Sequence, residues 1–245
     1  MIYVLLPAYN EAKNIKALVS KIKEVLTKER EKFCIVIVND GSTDNTQEIL
    51  RETALNMPEL KVINFAQNKG VGAVFREGID HICSLAKDID VIISLDCDLS
   101  HSPDAFPGVI KAIKAGNDIV VASRYHRMSS TVDLPFKREF LSNSINLLLK
   151  VIFPIPGVKD YTTFFRAYRV RILKKAKEFY QDRFIRQKGF PAMAEILIKL
   201  RRFKPKADEV AMSLRFDLRT GESKMNKLET VIDYLKLIAR CAFRK

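Results

Sequence analysis

Apolar residues in the first half of the chain fall into short runs separated by helical stripes. Ile2 to Leu6, Phe33 to Val38, Lys61 to Phe65, Val91 to Leu95 and Asp118 to Ala122 read as strands buried on both faces. After the first run, Asn10 is in position to cap a helix, and Ile15, Leu18, Val19, Ile22, Val25 and Leu26 recur at helical spacing. Further helix patterns cover about 45–54 and 103–115, and another follows Asn68-Lys69-Gly70-Val71-Gly72-Ala73 through about Ala86. The alternation β-α-β-α-β-α-β-α-β predicts an α/β fold, a mostly parallel sheet with helices on both faces. Beyond residue 125 the alternation stops. Residues 126–135 read as a loop, Phe136 to Phe153 as a long helix ended by Pro154 and Pro156, and Phe190 to Phe203 as another helix. Val210 to Phe216 alternates like a strand, and Lys227 to Phe243 is an amphipathic helix pattern. The expected organisation is one domain over 1–225, with halves 1–125 and 126–225, followed by a terminal helix in 226–245.

Polar groups follow three of the strand runs: Asn10 and Glu11, Asp40 and Asp44, Asp96 and Asp98. In a parallel sheet these ends converge on the carboxyl edge, where open α/β sheets place ligands. Asp96 and Asp98 share a side if their strand continues that far. Crowded carboxylates are costly without a cation between them, and a hard divalent ion with oxygen ligands is the obvious one. The competing reading is that Asp98 or Ser100 caps the helix near Pro103. Asp40 suits acceptance of hydrogen bonds from a base, although Asp40-Gly41 is also a good turn by itself. Gly70 and Gly72 lack the third glycine of a phosphate loop and read as backbone room at a helix start.

Composition and charge then narrow the partners. The chain of 245 residues is 47% hydrophobic and 29% charged, with a formal charge of +13. That charge fits nucleic acid, anionic lipid or phosphorylated substrates. No arginine-rich arm, RNA-binding strand motif or zinc finger is present, so nucleic acid is not expected as a partner. The basic residues thicken after residue 124, beside the longest apolar helix pattern, which leans toward a membrane surface. Cys34, Cys83, Cys97 and Cys241 are scattered, which suits a reducing compartment. No signal peptide and no run long enough to span a bilayer are visible. The expected location is cytoplasmic, peripheral on the cytoplasmic face of the membrane.

Pro7-Ala8-Tyr9-Asn10-Glu11, Asp40-Gly41-Ser42-Thr43-Asp44, Asn68-Lys69-Gly70 and Asp96-Cys97-Asp98, in this order, resemble glycosyltransferase family 2 and its GT-A fold. Within it the chain is most similar to the dolichol-phosphate mannosyltransferases and polyprenyl-phosphate glycosyltransferases. That likeness adds Ser123-Arg124-Tyr125, Arg138 with Ser142 a turn later, Phe164-Phe165-Arg166-Ala167-Tyr168, Glu195 and Arg219-x-Gly221-x-Ser223-Lys224. The resemblance implies that Pro7, Tyr9, Glu11 and Asp40 hold the nucleoside. It implies that Asp96 and Asp98 hold Mg²⁺ or Mn²⁺ against the diphosphate. Arg124, Arg138, Ser142 and Arg219 would line the acceptor phosphate site, with Lys224 and Glu195 nearby. Ser100 stands where the family usually has a glutamine in the metal shell, and Phe164 where it has a glycine.

The reaction so implied moves a hexose, mannose from GDP-mannose by resemblance, from a nucleotide diphosphate sugar to a polyprenyl phosphate. A phosphate acceptor is already largely ionised at neutral pH and needs no general base. Arginines suit it because guanidinium grips phosphate bidentately. A hydroxyl acceptor would need a carboxylate base, for which Glu195 and Asp160 are the candidates. A processive polysaccharide synthase is disfavoured, since its Gln-x-x-Arg-Trp needs a tryptophan and the chain has none. A non-catalytic basic protein that binds nucleic acid or membrane would explain the charge but not the ordered carboxylates. Two apolar stripes are candidates for the lipid surface. One is Phe140, Leu141, Ile145, Leu148, Leu149 and Ile152; the other is Leu228, Val231, Ile232, Leu235, Ile238 and Ala242.

Overall fold

The computed structural model describes residues 1–218 and 227–243, without the side chains of Lys137, Arg138, Lys227, Leu228 and Phe243. The strand runs become β1 (Ile2–Ala8), β2 (Phe33–Asn39), β3 (Leu60–Asn64), β4 (Val91–Ser94) and β5 (Ile119–Ser123). Between them lie α1 (Ile15–Lys28), α2 (Thr46–Leu55), α3 (Val71–Leu85) and α4 (Phe106–Lys114). The second half supplies β6 (Ser130–Val132), α5 (Phe136–Ile152), β7 (Arg166–Arg169), α6 (Val170–Tyr180), α7 (Ala192–Leu200), β8 (Ala207–Ala211), β9 (Ser213–Arg215) and α8 (Lys227–Phe243).

Seven strands form one sheet in the order β3-β2-β1-β4-β7-β5-β8. All run parallel except β7, which is antiparallel to both β4 and β5. Period-two alternation splits each strand between two cores. Val4, Leu6, Ile35, Ile37 and Ile93 join the layer under α1 and α4. Leu5, Val36, Val38, Ile92 and Val121 join the layer under α3, α6 and α7. β7 and β8 draw the second half of the chain into the same sheet as the first. α8 joins it too, since Tyr234 and Leu237 are buried in the second layer.

The antiparallel insertion positions the site. Arg166 at the start of β7 pairs with Ser94 at the end of β4 and with Val121 of β5. Residues 160–165 therefore arrive at the carboxyl edge of the parallel strands. The periodicity left this segment unassigned, because β7 is four residues long with an arginine at each end. Arg166 is fully buried; it donates from Nη1 to Met193 O at 2.5 Å and from Nη2 to Tyr161 O at 2.6 Å. It thereby ties residue 161 to α7.

Candidate active site

The carboxyl edge opens into a cavity of about 550 Å³. Its lining includes Pro7, Tyr9, Glu11, Asp40 and Gly70, the aspartates Asp96 and Asp98, and Arg124, Ser142 and Thr162. The loops after β1 and β2 are stitched together. Thr43 N donates to Asn10 Oδ1 at 2.8 Å, Glu11 N to Thr46 Oγ1 at 2.8 Å and Ala12 N to Asp44 Oδ2 at 3.3 Å. Asn10 is thus no helix cap: α1 begins at Ile15, and Asn10 sits in the left-handed region at φ 54°. Burial raises the Asp44 carboxyl, but hydrogen bonds from Thr46 and Ala12 outweigh it and hold the carboxyl below its ordinary range.

Asp40 is buried and accepts from Lys69 N at 2.7 Å and Gly70 N at 3.0 Å. The start of α3 is thereby fastened to the end of β2. The glycine expectation holds at Gly72, whose N–H donates to Lys188 O. A Cβ there would fall inside the envelope of Gln187 O, so only glycine lets the 185–190 segment pass this close. That segment delivers Gly189 and Phe190 to the cavity wall.

The two aspartates are brought together by a turn, not by strand alternation, because β4 ends at Ser94. Asp98 Oδ1 accepts from Ser100 N at 3.1 Å and Ser100 Oγ at 2.5 Å, with Leu99 at φ 61°. The residue that accepts at the following helical turn is Ser102, from Asp104 N, so Asp98 is not that helix's cap. Two half-exposed carboxylates fit a hard divalent ion that keeps water and takes diphosphate oxygens. His101 was not singled out from sequence. It is buried beside Asp96, whose N–H donates to Nδ1 at 3.4 Å, and its ring packs on Phe165. Its place directly after the turn was the one available signal.

At Arg124 a buried ion pair dominates. Asp160 accepts from Arg124 Nε and Nη2, each at 2.8 Å, and from the backbone of Thr162 and Thr163 at 3.1 Å. Arg124 also donates to Ser142 Oγ at 3.0 Å and Thr162 Oγ1 at 2.6 Å. Burial raises the Asp160 carboxyl, but the charge and hydrogen bonds of Arg124 outweigh it and hold it at about 2. Burial likewise opposes the Arg124 charge, and Asp160 more than offsets this, so Arg124 stays ionised.

A protein-family model described as glycosyl transferase family 2 matches residues 3–176. The chain belongs to that family. Dolichol-phosphate mannosyltransferase of Pyrococcus furiosus is 32% identical over 239 residues, 97% of this chain and 62% of that protein. Polyprenol monophosphomannose synthase of Mycolicibacterium smegmatis is 30% identical over 173 residues, 70% of this chain and 63% of that protein. The chain therefore spans less than two thirds of either relative. Glucosyl-3-phosphoglycerate synthase from Mycobacterium tuberculosis, solved with Mn²⁺, UDP and phosphoglyceric acid, is similar in structure. It gives a TM-score of 0.67 at 15% identity, covering 100% of this chain and 80% of that one. Its complex with Mg²⁺ and UDP gives 0.68. The fold is GT-A, and the cavity opens at the carboxyl edge of its parallel strands.

Not every expected residue reaches the cavity. Glu195 is fully buried, outside the cavity lining, and accepts from Arg186 N at 2.7 Å and Gln187 N at 2.8 Å. It also pairs with Lys199 Nζ at 2.6 Å. Glu195 holds the 185–190 segment, and this geometry gives it no reacting atom to touch. Arg219 and Lys224 lie outside the described residues, as does the Arg138 side chain. Phe164 does line the cavity, packed edge-on to Phe190 with ring centres 5.7 Å apart. α8 differs from its expected stripe. Tyr234 and Leu237 face the protein, and Ile232 and Leu235 face outward.

Proposed function

We propose that this glycosyltransferase moves a hexose from a nucleotide diphosphate sugar to a polyprenyl phosphate, with a divalent ion held by Asp96 and Asp98. The observation that carries this reading is the Arg124–Asp160 pair. A hydroxyl acceptor needs a carboxylate base near it. Asp160 is fully buried and locked to Arg124, and Glu195 lies outside the cavity. Among the described residues, the carboxylates that line the cavity are Glu11, Asp40, Asp96 and Asp98, in the loops expected to hold the donor. An acceptor that is itself an ionised phosphate needs no such base.

Bound there, the ion would act as a Lewis acid on the leaving diphosphate. The stitched loops with Tyr9, Glu11 and Asp40 hold the nucleoside. Arg124, with Ser142 and Thr162, presents donors to the acceptor phosphate. One phosphate oxygen forms the new bond to the anomeric carbon as the bond to the nucleoside diphosphate breaks. Arg138, Arg219 and Lys224 are proposed to complete the acceptor side. The names of the two relatives favour mannose as the sugar and GDP-mannose as donor. A panel of nucleotide sugars, with and without polyprenyl phosphate, is expected to give lipid-linked product best from GDP-mannose. Transfer to a glycan hydroxyl with none to the lipid phosphate would overturn the reading.

Such an acceptor requires access to a lipid surface. Among the described residues no helix is long and apolar enough to cross a membrane. On α5 the stripe expected from sequence divides. Of that stripe Ile145 and Leu149 are buried and Phe140 is exposed; Phe136, Leu147 and Val151, outside the expected stripe, are exposed with it, the four by 63–78%. With Ile232 and Leu235 of α8, which packs on α5, these form the face proposed to rest on the membrane. Basic residues add roughly 1 kcal/mol each near an anionic surface. The protein is expected to float with anionic vesicles at low salt and to release as salt rises. Phe136→Ser with Phe140→Ser should weaken flotation severalfold. Equal recovery of this variant and the parent would remove α5 from the interface.

A further inference from the structure

α8 contributes more than a wall. Its Tyr234 is buried, 6% exposed, and faces the same cavity as Arg124, Ser142 and Thr162. The helix is held in place by Leu237, fully buried in the core, by Gln187 Nε2 donating to Asp233 O at 3.4 Å, and by Arg240, 3.9 Å from Glu195. Buried Tyr161 spends its hydroxyl inside the protein, donating to Phe153 O. Among the described residues the Tyr234 hydroxyl has no such partner, and its place on the cavity wall leaves it available to a ligand. Burial raises its phenol well above the ordinary range; Arg166 and Arg124 offset only part of that, so the group is a permanent donor at neutral pH.

The polar side chains that line the cavity with it include Arg124, which only donates, and the hydroxyls of Ser142 and Thr162, which can donate. Leu141, Ile145 and Val231 supply apolar wall beside them. Guanidinium and hydroxyl donors beside an apolar wall fit an oxyanion attached to an apolar chain. We propose that the Tyr234 hydroxyl donates a hydrogen bond to the acceptor phosphate, making the C-terminal helix part of the acceptor site. This deepens the phosphate-acceptor reading above and rests on it.

The test is equilibrium binding to the full chain, with nucleoside diphosphate and Mg²⁺ present. The probes are a short-chain prenyl phosphate and inorganic phosphate. Tyr234→Phe removes only the hydroxyl and keeps the buried ring. It is expected to weaken both probes about tenfold, with nucleoside diphosphate affinity within about twofold of the parent. In turnover, the acceptor KM should rise while the donor KM holds. Unchanged affinity for the two phosphate probes would overturn the proposal and leave the acceptor reading standing. A loss confined to the prenyl phosphate would place Tyr234 against the chain, and would also overturn it. A parent protein that binds neither probe would bring down the acceptor reading and this inference together.

Discussion

Asp98→Asn is expected to reduce turnover by about a hundredfold or more without unfolding the protein. Removing stabilisation of the leaving diphosphate forfeits several kcal/mol of barrier lowering, and about 1.4 kcal/mol is a tenfold change. The fold should survive because an amide oxygen can still accept from Ser100 N and Ser100 Oγ, the bonds that hold the turn. Activity of the parent should vanish in excess EDTA and return with Mg²⁺ or Mn²⁺. A fully active Asp98→Asn enzyme, or a parent indifferent to EDTA, would exclude a metal at this turn. Melting curves should show nucleoside diphosphate raising Tm of the parent only with metal present, since a ligand bound to the folded state alone must stabilise it.

Asp160→Asn should have the largest effect on stability, about 3–5 kcal/mol, measured by urea unfolding at pH 7. It leaves the Arg124 guanidinium, mostly buried, facing a neutral amide. Removing both charges with Arg124→Met should recover part of the loss, because the stranded charge is then gone. The pH dependence has a definite sign. The Asp160 carboxyl is held at about 2 in the folded protein, below its ordinary 3.8. Its contribution is therefore complete above about pH 4 and lost as pH falls through about 2. The stability gap between parent and Asp160→Asn should stay constant at neutral pH and close over that acid window. A gap under about 1 kcal/mol at pH 7 would mean the pair is not the brace of the acceptor side.

Both effects depend on residues whose character was legible and whose partners were not. The runs at Ile2, Phe33 and Val91 and the helical stripe from Ile15 to Leu26 became β1, β2, β4 and α1 within a residue or two. Local periodicity records which faces are buried, and a parallel sheet buries both faces of each strand, so the alternation alone placed Glu11, Asp40 and Asp96 on one edge. The period-two reading of Asp96 and Asp98 depended on the strand reaching them; it stops at Ser94, and a turn sets them instead. The family motifs located the cavity, yet they did not distinguish Arg124 and Asp160, joined in a buried pair, from Glu195, turned into the core to hold a loop.

The α/β alternation, the carboxylates after three strands and the family that carries them are all legible in the order of residues. Tertiary structure alone decided that β7 runs backwards between β4 and β5, because a four-residue strand with arginine at both ends has no periodicity to read. It also decided that α8 turns Tyr234 and Leu237 inward and Ile232 and Leu235 outward. An amphipathic helix offers more than one apolar face, and only the surface it meets selects which one is buried.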